Sequence, residues 1–197
     1  MKIVIVSPTV PKNIKEILPK DSYIIAVDAA VKDLHNLGIE YQLAVGDFDS
    51  LKDDSLLTGK VIRLNPIKDE SDTAKALQIA FEMSDDVLLI GGTEGARKDH
   101  FIANLLMLQK CPSLVMMDAY NLIYTKPEGT YSITKKEYDY FSIFPIENSV
   151  ITLKNVKYPL DRYVMNRFDP LGLSNEIFGV ATLIVHQGSV IVFQSKE

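Results

Sequence analysis

Short apolar runs alternate with amphipathic stretches up to about residue 120 of the chain. The runs have the character of buried strands, and the stretches between them repeat apolar residues at helical spacing. The predicted strands are 2–6, 23–27, 43–45, 60–64, 87–90 and 114–117. Four helices are predicted between these strands. The first lies near 13–18, and the second contains Val31, Leu34 and Leu37 and is capped by Gly38. The third begins at Ser71 or Asp72 and runs through Phe81, and the fourth contains Phe101, Leu105 and Leu108. This alternation predicts an α/β domain with an open, mostly parallel, Rossmann-like sheet.

The pattern changes after Tyr120. A Lys-Pro-Glu-Gly turn signal occupies 126–129, and the segments that follow are short and rich in β-branched and aromatic residues. The predicted strands there are 130–134, 140–144, 149–153, 177–186 and 190–194, the last two forming a hairpin about Gln187, Gly188 and Ser189. We therefore predict an α/β N-terminal domain over 1–122 and a small all-β sandwich domain over 128–197, with the boundary between about 120 and 129.

The composition excludes two classes of partner. A net charge of -5 does not provide the basic surface that neutralises a nucleic-acid backbone. No apolar run approaches the roughly 18 residues needed to cross a bilayer. The apolar start of the chain ends at Ser7, which is too early for a signal peptide, and the single cysteine suits a reducing compartment. We expect a cytoplasmic protein that binds neither nucleic acid nor membranes.

Acidic side chains follow the carboxyl ends of the predicted strands. They are Asp28, Asp47, Asp49, Asp69, Asp72 and Asp99. Because ligands of open parallel sheets bind outside the carboxyl ends of the strands, we expect these carboxylates to share one site. If 47–49 is extended, Asp47 and Asp49 lie on one face and Phe48 points into the core. Neighbouring anions repel unless a cation lies between them, so this pattern predicts a site for a divalent cation such as Mg²⁺, or for phosphate.

A glycine-rich turn precedes the last predicted helix of this region. Gly91, Gly92 and Gly95 lead to Arg97 and then to the helix, whose free N–H groups and dipole favour an anion. The guanidinium of Arg97 adds a planar set of donors suited to phosphate oxygens. The sequence lacks the P-loop and dinucleotide-binding signatures, as well as the ligand spacings of zinc sites. The glycine-rich turn therefore predicts a phosphate-binding site that is neither a P-loop nor a dinucleotide-binding motif.

Two nearby residues have alternative interpretations. Lys68, beside Asp69 and Asp72, fits either a phosphate ligand or a surface ion pair. His100 follows Asp99 and is either a ligand contact or a solvated side chain.

Taken in order, these motifs resemble those of the thiamine pyrophosphokinase (thiamine diphosphokinase) family. The motifs are Asp28 after the second strand, Gly46-Asp47-Phe48-Asp49-Ser50, Lys68-Asp69-x-x-Asp72-Thr73, the glycine-rich turn with Arg97-x-Asp99-His100, and, in the β domain, Tyr158-Pro159-Leu160 and Ser174-Asn175. The resemblance spans nearly the whole chain. Each motif alone is unspecific, but the combination at these separations is specific.

The resemblance implies an enzyme that transfers diphosphate from ATP to the hydroxyethyl oxygen of thiamine and yields thiamine diphosphate and AMP. It implies that 1–122 is a nucleotide-binding catalytic domain and that 128–197 is a thiamine-binding domain. It also implies a homodimer with sites at the subunit interface, where thiamine lies between the α/β domain of one subunit and the β domain of the other.

The resemblance also assigns roles to individual residues. The expected Mg²⁺ ligands are Asp47, Asp49 and Asp72, and these three are expected to act in catalysis with Arg97 and Asp99. The residues expected to bind ATP are Asp28, Lys68, Asp69, Thr73, Gly92 and Arg97. Those expected to bind thiamine are Asp72, Ser174 and Asn175. Either Asp72 or Asp99 is expected to accept the proton of the thiamine hydroxyl.

The chain departs from the family pattern at two places. Two alanines follow Asp28 where the family usually has two glycines, and Ala96 precedes Arg97 where the family usually has glycine. The chain also has no tryptophan, so Tyr163 or Phe168 is the expected aromatic platform for the thiamine pyrimidine.

Three alternative functions fit the same motifs. A diphosphokinase acting on a hydroxymethylpterin would use the same ATP site. A nucleotide-sugar glycosyltransferase also uses an Asp-x-Asp motif with a divalent cation, but it releases a nucleoside diphosphate. A non-catalytic thiamine-binding module is favoured by the two alanines after Asp28.

Overall fold

The computed structural model describes residues 1–49, 51, 53–67, 70–167 and 169–197. The chain divides into two compact units. The first comprises Met1–Met107 with Met116–Ala119, and the second comprises Leu108–Val115 with Tyr120–Glu197. Within the described ranges, every helix is too short or too polar to cross a bilayer.

Strands and helices alternate along the chain to Met117. They are β1 (Ile3–Val6), α1 (Ile14–Ile17), β2 (Tyr23–Val27), α2 (Ala30–Leu37), β3 (Leu43–Gly46), β4 (Lys60–Arg63), α3 (Asp72–Met83), β5 (Val87–Ile90), α4 (Lys98–Lys110) and β6 (Val115–Met117), with a short 3-10 turn at Asp54–Leu56. The strand order is β4-β3-β2-β1-β5-β6, and the pairs β1–β2, β1–β5, β2–β3 and β3–β4 are parallel. The predicted mostly parallel sheet is confirmed.

The inner strands of this sheet form the core of the first unit. All residues of β1, β3 and β5 are buried, as expected for strands covered on both faces. The exposed β4 lies at the edge of the sheet. Helix α3 packs on β1, β2 and β3 and buries Ala76, Leu77 and Ala80.

Two predicted helix ends are confirmed. The Oγ of Ser71 accepts a hydrogen bond from the N–H of Ala74 at 3.2 Å, which caps the first turn of α3. Gly38 ends α2 in the left-handed conformation, with φ of 65°. The Ser71 cap makes Asp72 the first residue of α3.

The second unit is an antiparallel β structure. Its strands are β7 (Asn121–Lys126), β8 (Gly129–Thr134), β9 (Tyr140–Pro145), β10 (Ser149–Val156), β11 (Leu160–Met165), β12 (Ile177–Gln187) and β13 (Val190–Ser195). They are ordered β7-β13-β9 and β11-β10-β12-β8. Side chains from both sets, including Phe141, Ile143, Ile151 and Leu183, share one buried core.

The sequence-based prediction for this unit is wrong in its last hairpin and misses two strands. The chain does turn at Gly188, but β12 pairs with β10 and β8 whereas β13 pairs with β7 and β9. The turn therefore carries the chain from one sheet to the other. The unpredicted strands are β7, which falls within the predicted boundary, and β11, whose residues are mostly exposed and lack an apolar alternation.

Candidate active site

Three carboxylates converge at the carboxyl ends of neighbouring strands. Asp28 follows β2 directly, Asp47 follows β3 directly, and Asp72 begins α3. One oxygen atom from each of the three carboxylates lies within 4.8 Å of the others. The carboxyl edge of the sheet and the start of α3 thus bring together side chains that are distant in sequence, as the strand-end pattern predicts.

Asp49 is not a member of this group. The backbone of Phe48 has φ of 58°, so the Asp-Phe-Asp segment turns and is not extended as the sequence prediction assumed. The turn is stabilised by Asp47 Oδ1, which accepts from the N–H of Asp49 at 3.1 Å. Phe48 is buried as expected, whereas the side chain of Asp49 is exposed. The expectation that both carboxylates share a face because of strand alternation is therefore wrong.

Asp28 has an unusual environment for a carboxylate. Its Oδ1 is buried and has no hydrogen-bond partner among the residues that the structure describes. Burial raises the pKa of Asp28, and the charges of Asp72, Asp47 and Asp49 raise it further, against a backbone hydrogen bond from Ala29 that lowers it. A divalent cation would offset this repulsion and coordinate the unpaired oxygen.

The three carboxylates line a cleft of about 410 Å³. Its other lining residues are Ser7, Pro8, Thr9, Val27, Ser71, Thr73, Gly92, Glu94, Gly95, Ala96, Arg97, His100 and Asn104. His100, which the sequence left undecided, is therefore in the cleft. Ser7, Thr9 and Asn104 also line the cleft but were not predicted from the sequence. The position of Ser7 directly after β1 was an available signal, because that strand end lies on the same edge of the sheet.

The glycine-rich turn lines part of this cleft, and the backbone groups of Gly92 are hydrogen-bonded within the protein. Gly92 has φ of 69°, its N–H donates to Pro8 O at 3.0 Å, and its carbonyl accepts from Asn104 Nδ2 at 3.0 Å. A Cβ on Gly92 would lie 2.4 Å from that Nδ2 atom at a positive φ, so a side chain there is strained and forces Asn104 to move. Thr93 Oγ1 donates to Asp118 Oδ2 at 2.6 Å. The turn is thus held from several sides.

Arg97 and Asp99, both predicted to be catalytic, interact with each other. Arg97 Nε donates to Asp99 Oδ1 at 2.9 Å. The Arg97 guanidinium lowers the pKa of Asp99 to about 2, and Asp99 in turn raises the pKa of Arg97. Arg97 lines the cleft, so the pair provides an exposed, oriented cation suited to phosphate oxygens.

Of the remaining residues predicted to bind ATP, two lie in the cleft and two fall outside the described residues. Thr73 and Gly92 line the cleft, and the Thr73 hydroxyl is hydrogen-bonded to that of Ser7 at 2.9 Å. Lys68 and Asp69 lie outside the described residues.

The residues predicted to bind thiamine from the β domain belong to the second unit. The side chain of Ser174 is exposed. Asn175 is buried, and its amide bonds to the backbone of Tyr158 in both directions, accepting from N–H at 2.9 Å and donating to the carbonyl at 2.8 Å. Of the two expected aromatic platforms, Tyr163 is partly exposed and Phe168 lies outside the described residues.

A larger cleft of about 950 Å³ lies in the second unit. It is lined by Glu128, Glu147, Arg167 and mainly neutral residues. The group of three converging carboxylates lies in the smaller cleft of the first unit. Because phosphoryl-type chemistry depends on positioned charge more than on cavity size, we assign the candidate active site to the smaller cleft.

Two family descriptions match the chain. "Thiamin pyrophosphokinase, catalytic domain" matches residues 14–118, and "Thiamin pyrophosphokinase, vitamin B1 binding domain" matches residues 130–189. The thiamine pyrophosphokinase of Bacillus subtilis (strain 168) is 31% identical over 188 residues, which cover 88% of this chain and 87% of the relative. The chain belongs to the thiamine pyrophosphokinase family.

Solved structures of thiamine pyrophosphokinases agree with this assignment. The structure from Bacillus subtilis has a TM-score of 0.89 and 26% identity, with 100% of both chains covered. The structure from Geobacillus thermodenitrificans has a TM-score of 0.88 and 27% identity, with 100% of this chain and 98% of the other covered.

As a thiamine pyrophosphokinase, the chain is a transferase of diphosphate groups. Membership of this family favours the diphosphotransferase over the hydroxymethylpterin kinase, the glycosyltransferase and the non-catalytic module. The resemblance noted in the sequence motifs is confirmed.

Proposed function

We propose that this thiamine pyrophosphokinase uses ATP as the diphosphate donor and carries out the transfer in the cleft that contains Asp28, Asp47 and Asp72. The products are thiamine diphosphate and AMP. The observation that carries this proposal is the convergence of three carboxylates within 4.8 Å of one another in a cleft that Arg97 also lines. Carboxylates and a guanidinium in one cleft are the groups needed to bind a cation–polyphosphate complex.

The donor set of this cleft fits Mg²⁺. All three groups offer oxygen ligands, and the unpaired Oδ1 of Asp28 is satisfied if a cation lies beside it. We propose Asp28, Asp47 and Asp72 as the ligands, and Asp49 stays a predicted ligand from the family resemblance. When bound, Mg²⁺ neutralises charge on phosphate oxygens and orients the polyphosphate.

The chain's own residues then bind and orient the substrates. Arg97 binds phosphate oxygens, and Asp99 holds the guanidinium of Arg97 in position. The carboxylate of Asp99 is engaged by the guanidinium of Arg97, whereas Asp72 lines the cleft itself. We therefore propose Asp72 as the acceptor of the thiamine hydroxyl proton.

The other expectations from the resemblance are part of the proposal. We propose that 1–122 binds the nucleotide in a Rossmann-like arrangement, that 128–197 binds thiamine, and that Ser174 contacts thiamine through its exposed hydroxyl. Asn175 supports the thiamine site indirectly, because its amide fixes the backbone of Tyr158 through two hydrogen bonds. We further propose a cytoplasmic homodimer with its sites at the subunit interface.

A product assay tests this proposal. The protein is incubated with ATP, thiamine and Mg²⁺, and AMP and thiamine diphosphate are quantified by chromatography. Equal amounts of both are expected, with loss of both when EDTA is added or when Asp47→Asn replaces the wild type. Formation of AMP without thiamine diphosphate, or full activity of Asp47→Asn, would contradict the proposed site.

A further inference from the structure

A buried pair of hydroxyl groups connects the end of β1 to the start of α3. Ser7 Oγ and Thr73 Oγ1 lie 2.9 Å apart, and the two residues are only 2% and 8% exposed. Ser7 is itself held against the sheet, since its N–H donates to Ile90 O at 2.9 Å. The pair therefore links the helix to a fixed point of the sheet.

Thr73 directly follows Asp72 in the first turn of α3. The other buried residues of α3, Ala76, Leu77 and Ala80, form apolar contacts, which are not directional. A hydrogen bond between side chains depends on direction and distance, so it restricts how the first turn can rotate or slide. The bond between Ser7 and Thr73 thus restrains the part of the helix that carries the Asp72 carboxylate.

We propose that Ser7 and Thr73 are positioning residues that hold Asp72 in place for cation binding. This inference rests on the proposed role of the three carboxylates as cation ligands, because Asp72 must stay close to Asp28 and Asp47 for one ion to contact all three. Ligand groups must be held to within about 0.5 Å to bind well. The family resemblance predicts that Thr73 contacts ATP. In the structure its hydroxyl is hydrogen-bonded to that of Ser7, and we assign it this positioning role.

Four variants and one control test this role. Ser7→Ala and Thr73→Val each remove one hydroxyl, the double variant removes both and leaves no unpaired partner, and Thr73→Ser keeps a hydroxyl. The matched control is Thr125→Val, which removes a similarly buried hydroxyl that donates to Pro112 O at 2.8 Å in the second unit. Thermal unfolding verifies that each variant is folded.

The first measurement is binding of Mn²⁺, a substitute for Mg²⁺, to the substrate-free protein by electron paramagnetic resonance. Both single variants are expected to bind Mn²⁺ about tenfold more weakly than the wild type. The double variant is expected to be no weaker than either single variant, because the two hydroxyls act as one unit. Thr73→Ser and Thr125→Val are expected to bind as the wild type does.

The second measurement separates positioning from direct substrate contact. In steady-state assays, both single variants are expected to require about tenfold more Mg²⁺ for half-maximal rate, with the KM for thiamine unchanged. The inference is overturned if they bind Mn²⁺ as Thr125→Val does, or if Thr73→Val alone raises the KM for ATP while Ser7→Ala has no effect. If the wild type does not bind Mn²⁺, the proposed cation site fails and this inference fails with it.

Discussion

Arg97 and Asp99 form a multiply hydrogen-bonded ion pair, in which Arg97 Nε donates to both carboxylate oxygens of Asp99, at 2.9 and 3.1 Å. Both side chains are well exposed, so the pair contributes little to the stability of the fold. Its value lies in orientation, because it fixes the direction of a guanidinium that lines the cleft.

Replacement of Arg97 should therefore reduce activity far more than stability. Arg97→Ala is expected to lower kcat by about 10²- to 10³-fold, as for loss of a donor to developing charge. Asp99→Asn, which weakens only the orientation of Arg97, is expected to lower kcat by about tenfold. Lys98→Ala removes the adjacent positive charge, which is also exposed, and serves as the control in the same steady-state assay. Equal losses in Arg97→Ala and Lys98→Ala would contradict the assignment.

The same ion pair makes a prediction about pH. The pKa of Asp99 is lowered from the usual 3.8 to about 2, so the carboxylate is ionised above its usual pKa. The free energy that the Arg97–Asp99 ion pair contributes is fully present above pH 3.8, and it is lost as the pH falls through about 2. From about pH 5 to about pH 9, kcat/KM of Asp99→Asn is therefore expected to follow the same profile as the wild type at a lower level. A shifted acid limb in the variant would show that Asp99 titrates during turnover.

Asp28 is expected to lower the stability of the cation-free protein and yet to be needed for activity. Burial and the neighbouring carboxylates raise its pKa, so its ionised form is disfavoured in the folded protein without a cation. Asp28→Asn is expected to raise the Tm in EDTA by about 2 °C and to lower kcat/KM by at least about 100-fold. The control is Asp21→Asn, since Asp21 also has a positive φ, 58° against 44° for Asp28, but is exposed. An active Asp28→Asn variant would remove Asp28 from the proposed ligands.

The sequence predicts most of the first unit because its signals are local. Apolar runs locate the inner strands, and Ser71 and Gly38 mark helix ends through their own backbone chemistry. The conformation of Phe48 could not be predicted, because a positive φ is rare for a bulky residue and no local sequence signal marks it. Strand alternation therefore gave the wrong geometry for Asp49, although strand order correctly brought Asp47 to the shared edge.

Long-range contacts account for what the sequence did not predict. The hydrogen bond between Ser7 and Thr73 joins residues 66 positions apart, and no local pattern indicates it. Strand β11 is exposed along most of its length, so it carries no alternating apolar signal. The final turn at Gly188 has the sequence of a hairpin, yet the strands on either side pair with different partners. Only packing of the whole unit selects between these pairings.

Gly92 should not tolerate a side chain. Gly92→Ala places a methyl group 2.4 Å from Asn104 Nδ2 at a φ of 69°. Gly38→Ala is the matched control, since Gly38 has a similar φ of 65° with no atom within 4 Å of the added Cβ. The control is expected to lose about 1 kcal/mol of unfolding free energy, and Gly92→Ala about 1–3 kcal/mol more, measured by urea unfolding. Gly92→Ala should also lose activity, whereas Gly38→Ala should stay active. If both variants lost the same unfolding free energy and kept the same activity, the turn at Gly92 would accommodate a methyl group.

Ser174 and Asn175 are adjacent in sequence but should respond differently to substitution. The amide of Asn175 satisfies the N–H and the carbonyl of Tyr158, so Asn175→Ala leaves two backbone groups without these partners. We expect a loss of about 2–3 kcal/mol in unfolding free energy, measured by urea unfolding. Ser174 is exposed and uses its backbone N–H, not its hydroxyl, to bond Ser142 Oγ at 2.9 Å. Ser174→Ala is therefore expected to change stability by less than about 0.5 kcal/mol.

The kinetic constants separate the two residues further. Loss of one hydroxyl contact to thiamine is expected to raise the KM for thiamine about tenfold in Ser174→Ala, with the KM for ATP unchanged. Asn175→Ala is expected to lower the fraction of active protein on heating and to change the KM for thiamine only through displacement of the Tyr158 segment. Asn175→Asp keeps the acceptor for the Tyr158 N–H but loses the donor to its carbonyl, so its stability should be intermediate. If Asn175→Asp were fully stable but unable to use thiamine, Asn175 would be a direct ligand and its structural role would be secondary.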